Sequence, residues 1–303
     1  CIRKYMKQSK IGMFFLSVTG PGIGGNFFLF VERVYKFVMG VEKKPIDLIL
    51  IHLAFTNEMT LCAKGISDII SAFHFNNFLG SAGCKTVLYL GRVARGLSIC
   101  TTCLLSVVQA ITVSARTTSW RKLKPQTAWQ VLPYLLLLWI FNFLISSNLL
   151  YYITTVNSTS KSEISPYVGY CYMLPSRQIV RWFFVTLMAL RDIIFQSLMG
   201  WSSGYLAFHL YKHHKCVLYL QSSRFQKKSS PEIRATQSVL ILMSCFLFFY
   251  WTDLIFSFYM GSFLISDYII FNIEIFLASG YASFSPFVLI TRNGHVANYW
   301  RTH

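Results

Sequence analysis

This chain of 303 residues has few charged residues. They make up 13% of it, whereas ~25% is usual in a soluble domain. Acidic residues are the scarcer kind, 11 against 28 lysines and arginines, so the formal net charge is +17. The 8 cysteines are too few to form a disulfide scaffold over this length. The metalloprotease pattern H-E-x-x-H is absent as well. The low charge excludes an ordinary soluble domain, and we expect no enzyme, no metal ion and no cofactor.

Long apolar runs take the place of the missing charges. Hydrophobic residues make up 54% of the chain and aromatic residues 17%. Seven runs are long enough to cross a bilayer as helices, at about 11–31, 46–66, 84–113, 129–152, 179–211, 236–260 and 264–290. We therefore predict an all-α membrane protein, in which residues 1–303 form one domain, a bundle of seven transmembrane helices.

Lysines and arginines concentrate between runs one and two, three and four, and five and six, and in the C-terminal tail. Loops on the cytosolic side of a membrane are enriched in these residues, so the pattern predicts that the N-terminus lies outside the cell. Basic residues within 3–10 oppose this assignment, but the loops together outweigh them. Because cytosolic loops account for the positive charge, we do not interpret it as a nucleic-acid-binding patch.

The run 84–113 carries two arginines, Arg92 and Arg95, inside its apolar stretch. Charged side chains within a membrane are unfavourable unless they face the interior of a bundle, so this helix is predicted to be central. Leu88, Arg92 and Arg95 share one helical face by their spacing. Acidic and aromatic residues of later spans lie at comparable depth, namely Asp192, Tyr250, Trp251, Asp253, Phe271 and Glu274. We expect a ligand pocket between helices 3, 5, 6 and 7, while structural ion pairing alone stays an open alternative.

Small and polar residues within the spans predict close contacts between helices. Residues 20–25 match the dinucleotide pattern G-x-G-x-x-G, but they lie in an apolar run without the strand–turn–helix context of that site. We interpret these glycines as helix contacts. Four polar residues are expected to form a buried cluster that joins helices: Asn26, Asn57, Ser98 and Ser285.

Two pairs of cysteines differ in their predicted surroundings. Cys84 and Cys171 fall at the outer membrane edge, where oxidation is permitted, and we predict a disulfide between them. Cys100 and Cys103 lie in mid-helix and are expected to stay unpaired. The loop that contains Cys171 also carries the glycosylation sequon Asn157-Ser158-Thr159, in agreement with an extracellular position.

Several segments together resemble the vomeronasal type 1 receptors, a family of G-protein-coupled receptors for pheromones. They are HLAFTN at 52–57, RVARGLSICTTCLLSVVQAITVS at 92–114, SPEIRATQSVLILMSCFLFFYWTD at 230–253 and SPFVLI at 285–290. Asn57 and Gln109 stand where the broader rhodopsin-like class usually has Asp and Arg, and Ser285 precedes Pro286 where that class has Asn. The Asn57 difference puts the sodium site of that class in doubt.

The resemblance implies a plasma-membrane receptor for small volatile or steroid-like ligands that signals through a heterotrimeric G protein of the Gi/Go class. We expect a set of basic residues to face the cytosol and to help engage that protein: Arg116, Arg121, Lys122, Lys124, Arg224, Lys227 and Lys228. A bitter-taste receptor is the nearest alternative. A transporter or channel also uses charges within the membrane, but it predicts internal repeats, and we find none between the first and last three spans.

Overall fold

A computed structural model describes the backbone of much of the chain. The described residues are 2–40, 43–73, 80–114, 124–147, 150, 153–155, 167–168, 171–173, 178–220, 237, 240–252, 255 and 268–291. Within these residues the fold is helical apart from one small sheet, so the predicted α-helical character is confirmed.

Helices occupy each of the predicted apolar runs, at least in part. Their bounds are α1 Ile2–Met39, α2 Pro45–Phe73, α3 Gly80–Ser114, α4 Leu132–Ser146, α5 Gln178–Leu220, α6 Leu240–Thr252 and α7 Tyr268–Thr291. A 3₁₀ turn, Ala128–Gln130, precedes α4. Several helices are longer than the apolar run that predicted them, because polar residues at a membrane surface can continue a helix whose backbone bonds are already internal.

The degree of burial distinguishes the middle helix from the outer ones. Three described stretches are long and apolar enough to span a membrane: Pro45–Ile66, Lys85–Val113 and Ala128–Ser146. In α3, 67% of the most apolar window is buried inside the protein, against 28% in the stretch that includes α4. In addition, α3 contacts α2, α4 and α5. The prediction that α3 is central is therefore confirmed, and α4 lies at the periphery.

A three-stranded antiparallel sheet follows α4, where the sequence predicted only a loop. The strands are β1 Ile153–Thr155, β2 Tyr167–Val168 and β3 Cys171–Met173, in the order β1-β3-β2. Thr155 pairs with Cys171 and Val168 pairs with the same residue on the other side. The β-branched and aromatic residues of these short segments favour extended backbone. Because β1 and β3 both contact α3, the sheet lies against that helix.

Glycines of α1 allow close approach to α7. A Cβ atom on Gly22 would lie 2.6 Å from the Cα of Ser283, and one on Gly25 would lie 3.0 Å from the Pro286 ring. Gly20 and Gly24, on the other side of the helix, have nothing within 4 Å of a Cβ. The predicted role of this segment in helix contact is confirmed for Gly22 and Gly25, and its continuous helix is incompatible with a phosphate-binding turn.

Gly22→Ala should lower the thermal stability of the detergent-solubilised protein, because the new methyl group forces α1 and α7 apart. Overpacking of this kind costs about 1–3 kcal/mol. Gly24→Ala is the matched control: its methyl group meets open space, and alanine favours a helix by up to about 1 kcal/mol. Equal unfolding temperatures for the two variants would contradict the close α1–α7 contact.

Candidate ligand-binding site

Arg95 joins α3 to α6. The central carbon of its guanidinium lies 5.2 Å from the centroid of the Tyr250 ring, which is a cation–π geometry. Tyr250 is 8% exposed, whereas the neighbouring Trp251 is 45% exposed. Both Tyr250 and Trp251 were expected near this arginine, and Tyr250 is the one that contacts it.

An aromatic stack continues from Tyr250 towards α7 and back to α3. Phe246 stacks on Tyr250 with 4.2 Å between ring centroids, and it meets Tyr281 edge-on at 4.7 Å. The hydroxyl group of Tyr281 is 2.9 Å from Oγ1 of Thr102 on α3, within hydrogen-bond distance. These contacts connect the ring that Arg95 contacts on α6 to α7, and α7 in turn to α3.

Arg92 lies one turn before Arg95 and is partly buried. Within the described part of the chain it makes no hydrogen bond and no ion pair. The positive charges of Arg191 and Arg95 are close enough to repel its own. Among the described residues, this side chain therefore has no acidic partner.

Arg191 of α5, by contrast, has an acidic partner and a hydrogen-bond acceptor. Its side chain is 4% exposed and forms an ion pair of 2.8 Å with Asp192, its neighbour in sequence. Its Nη1 donates a 2.9 Å hydrogen bond to Oδ1 of Asn142 on α4. The sequence suggested that Arg92, Arg95 and Arg191 pair with acidic residues across a cavity. The described pair is Arg191 with Asp192, its neighbour on the same helix.

Gly96 provides the space for this junction of α3, α4 and α5. A Cβ atom at position 96 would overlap both Oδ1 of Asn142 and Nη1 of Arg191. The sequence analysis did not select Asn142 or Gly96. The signals that pointed to them are an asparagine inside an otherwise apolar run and a glycine next to Arg95.

The remaining residues of the predicted pocket are described in part. Leu88 is partly buried one turn before Arg92. Phe271 and Glu274 lie on α7, but their side chains are outside the described ones, and Asp253 is outside the described residues. Asn157 and six of the predicted basic residues also lie outside the described residues: Arg116, Arg121, Lys122, Arg224, Lys227 and Lys228. Lys124 is described and exposed.

The predicted polar cluster forms two adjacent units. Ser98 donates a 2.6 Å hydrogen bond to Oδ1 of Asn57, and Nδ2 of Asn57 donates one of 2.9 Å to the Ser285 hydroxyl group. Asn26 instead donates to the carbonyl oxygens of Gly22 and Ala282, both at 2.8 Å. The first unit ties α2, α3 and α7 together, and the second ties α1 to α7. Neutral groups that bond one another occupy the position where the rhodopsin-like class has its acidic sodium ligand.

His52 makes a third junction that the sequence analysis missed. The indole Nε1 of Trp139 can only donate, and it lies 2.8 Å from Nε2 of His52, which must therefore accept. The imidazole proton then sits on Nδ1, which is 2.9 Å from Oγ1 of Thr101. A neutral histidine thus links α2, α3 and α4.

Two cysteines and one serine motif are of types that reactive sites use. Cys100 and Cys103 are buried and free, as expected for packing residues. The pentapeptide from Gly200 to Gly204 matches the hydrolase pattern G-x-S-x-G, but it lies in the middle of α5, and Ser202 donates to the Leu198 carbonyl of its own helix. The strand–turn–helix context that exposes a nucleophilic serine is missing at this place.

Apolar helices joined by hydrogen bonds between buried polar side chains define an integral membrane protein of the helical-bundle class. The sequence profile of the vomeronasal organ pheromone receptor family matches residues 9–302. The human vomeronasal type-1 receptor 4 is 34% identical, with 93% of each chain covered. A mouse relative, vomeronasal type-1 receptor 43, is 35% identical over 97% of this chain and 89% of its own length. The rat vomeronasal type-1 receptor 94 is 36% identical, with 97% and 90% covered.

The chain therefore belongs to the vomeronasal type-1 receptor family. It is a transmembrane pheromone receptor of the G-protein-coupled type and not an enzyme, as the resemblance of its motifs predicted. The bitter-taste and transporter alternatives are set aside by the same matches, which extend over nearly the whole chain.

Ser285→Ala should destabilise the protein, because Nδ2 of buried Asn57 loses its acceptor. Interhelical hydrogen bonds in membrane proteins are worth roughly 0.6 kcal/mol, with a maximum near ~1.7 kcal/mol. The matched control is Ser244→Ala, since Ser244 is exposed and donates only to the Leu240 carbonyl of its own helix. Unfolding in mixed micelles of lipid and SDS measures both. A loss at Ser244 as large as that at Ser285 would show that the triad does not stabilise the bundle.

Proposed function

We propose that this receptor binds small-molecule pheromone-like ligands at the plasma membrane and signals through a heterotrimeric G protein of the Gi/Go class. The observation that carries the proposal is the face of α3 on which Arg92 lacks a described partner and Arg95 rests on the Tyr250 ring. Polar groups of this kind, beside aromatic walls, fix the orientation of a ligand in a mostly apolar pocket.

The ligand site lies between helices 3, 5, 6 and 7 in this proposal. The residues assigned to it are Leu88, Arg92, Arg95, Asp192, Trp251, Asp253, Phe271 and Glu274. A ligand that draws Arg95 away from Tyr250 releases the stack of Tyr250, Phe246 and Tyr281. That change shifts α6 relative to α3 and so carries the signal across the membrane.

The chain crosses the membrane seven times in this proposal, with its N-terminus outside. The basic segments between helices then face the cytosol and the G protein, and Lys124 is one of their exposed members. The loop between α4 and α5 lies outside, where Asn157 carries a glycan and Cys171 forms a disulfide with Cys84. Contact between β3 and α3 supports that pairing, because it brings together the two elements that carry these cysteines.

Cysteine labelling checks the sidedness. In a background without other reactive cysteines, Lys124→Cys should react with a membrane-impermeant maleimide only after the cells are permeabilised. Ser162→Cys, in the loop between α4 and α5, is the control and should react on intact cells. If Lys124→Cys is labelled from outside intact cells, the proposed topology is wrong.

Signalling in transfected cells tests the function itself. A ligand found by screening should lower cAMP or raise calcium, and pertussis toxin, which uncouples Gi/Go proteins, should abolish the response. Arg92→Ala and Arg95→Ala should each weaken the response at equal surface expression, because each removes a polar anchor. Unchanged potency in both variants at normal expression would refute the pocket. A response that survives the toxin would refute the coupling but not the receptor assignment.

A further inference from the structure

We propose that an anion binds where α3, α4 and α5 meet, held by Arg92 and by the hydroxyl group of Ser146 beside Arg191. The anion is either the carboxylate, sulfate or sulfonate group of the receptor's ligand, or a free chloride ion. The first case deepens the proposed function, on which it rests: Arg92 lines the pocket between helices 3, 5, 6 and 7, and the anionic group of the ligand extends from that pocket towards α4. The second is independent of it.

Charge imbalance is the first observation. Arg92 lies about one turn before both Arg95 and Gly96, and Gly96 lies against Nη1 of Arg191; the described acid at this junction is Asp192. Asp192 is already paired with Arg191 at 2.8 Å. Arg95 is partly compensated by the electron-rich face of Tyr250. Arg92 has neither kind of contact among the described residues, so it is the cation that an incoming anion would neutralise.

An orphaned hydroxyl group is the second and independent observation. Ser146 on α4 is 0% exposed, and its Oγ atom has no hydrogen-bond partner in the described part of the chain. A buried hydroxyl group normally has a partner, and leaving one without a partner costs about 1–3 kcal/mol. The next residue, Ser147, does have one, since its Oγ donates to the Leu144 carbonyl at 2.8 Å.

Helix register places these two groups at the same level. Gly96 of α3 lies against Asn142 of α4, and nearer the start of α3 the hydroxyl group of Tyr89 donates to the Phe143 carbonyl. Lower numbers on α3 thus meet higher numbers on α4, as in antiparallel helices. Arg92 is four residues before Gly96, and Ser146 is four residues after Asn142. Each step of four moves roughly 6 Å in the same direction and keeps the same helix face.

Arg191 completes the site from α5. Its Nη1 reaches Asn142, which is one turn from Ser146, and its Nε and Nη2 bond Asp192. A guanidinium has five N–H groups, so Arg191 keeps donors to spare after these three bonds. Two guanidinium groups and a hydroxyl group, removed from water, are a donor set suited to an oxyanion or a halide.

Thermal unfolding of the purified receptor in detergent, in a buffer of low ionic strength without added salt, tests the site. Sodium naphthalene-2-sulfonate or sodium chloride should raise the unfolding temperature of the wild type, whereas neutral 2-naphthol should not. Arg92→Gln should weaken the anion effect roughly tenfold to a hundredfold, as expected for a lost charge-assisted bond. Ser146→Ala should weaken it roughly threefold to tenfold, and Ser147→Ala should not change it.

Stability without added anion separates a binding role from a structural one. In the buffer without added salt, Arg92→Gln should be at least as stable as the wild type, because it removes a charge without a described partner. Arg191→Gln should be less stable, since it abandons Asp192 and Asn142. The proposal fails if neither anion stabilises the wild type, or if Arg92→Gln is destabilised as much as Arg191→Gln. Stabilisation by chloride alone identifies an inorganic ion. Each result leaves the receptor assignment to be judged by the signalling assay.

Discussion

A polar side chain that α3 carries into the bundle needs a partner within the protein, because neither lipid nor the apolar interior supplies one. This constraint explains the arrangement around the helix. Ser98 reaches Asn57 of α2, Thr101 reaches His52, and Thr102 reaches Tyr281 of α7. The three bonds fix α2 and α7 to α3 within about one turn of that helix. The helix that is central by burial is thus also central in the hydrogen bonding.

The two sides of α3 are closed by different physical means. Towards α4 and α5 the closing group is the buried guanidinium of Arg191, which bonds Asn142 in the space that Gly96 leaves. Towards α6 and α7 it is an aromatic stack on which Arg95 rests. A charge-assisted hydrogen bond is directional and resists displacement, whereas stacked rings can slide past one another. This contrast favours a rigid α3–α4–α5 side, and it agrees with the proposed movement of α6 on ligand binding.

The sequence was sufficient for the helices and for the identity of the central one. Long apolar runs predict helices because backbone groups in lipid must bond internally, and two arginines within one run predict a central position. It also indicated that Asn57, Ser98 and Ser285 lie together. The partners of the arginines were less predictable, because helix rotation decides them: Tyr250 and Trp251 are adjacent, yet only Tyr250 points at Arg95. The junction at Asn142 depends on a glycine of another helix, a coincidence in space that no spacing within one segment reveals.

The coupling energy between Asn142 and Arg191 tests most directly whether buried polar contacts around α3 hold the bundle together. A double-mutant cycle with Asn142→Ala and Arg191→Gln, followed by reversible unfolding in mixed micelles, isolates that term from the effects of each variant alone. A charge-assisted bond buried between α4 and α5 predicts a favourable coupling of about 1–2 kcal/mol. Strictly additive losses, with no coupling beyond error, would show that the two side chains do not bond. In that case the bundle is not held together through the polar groups that surround α3.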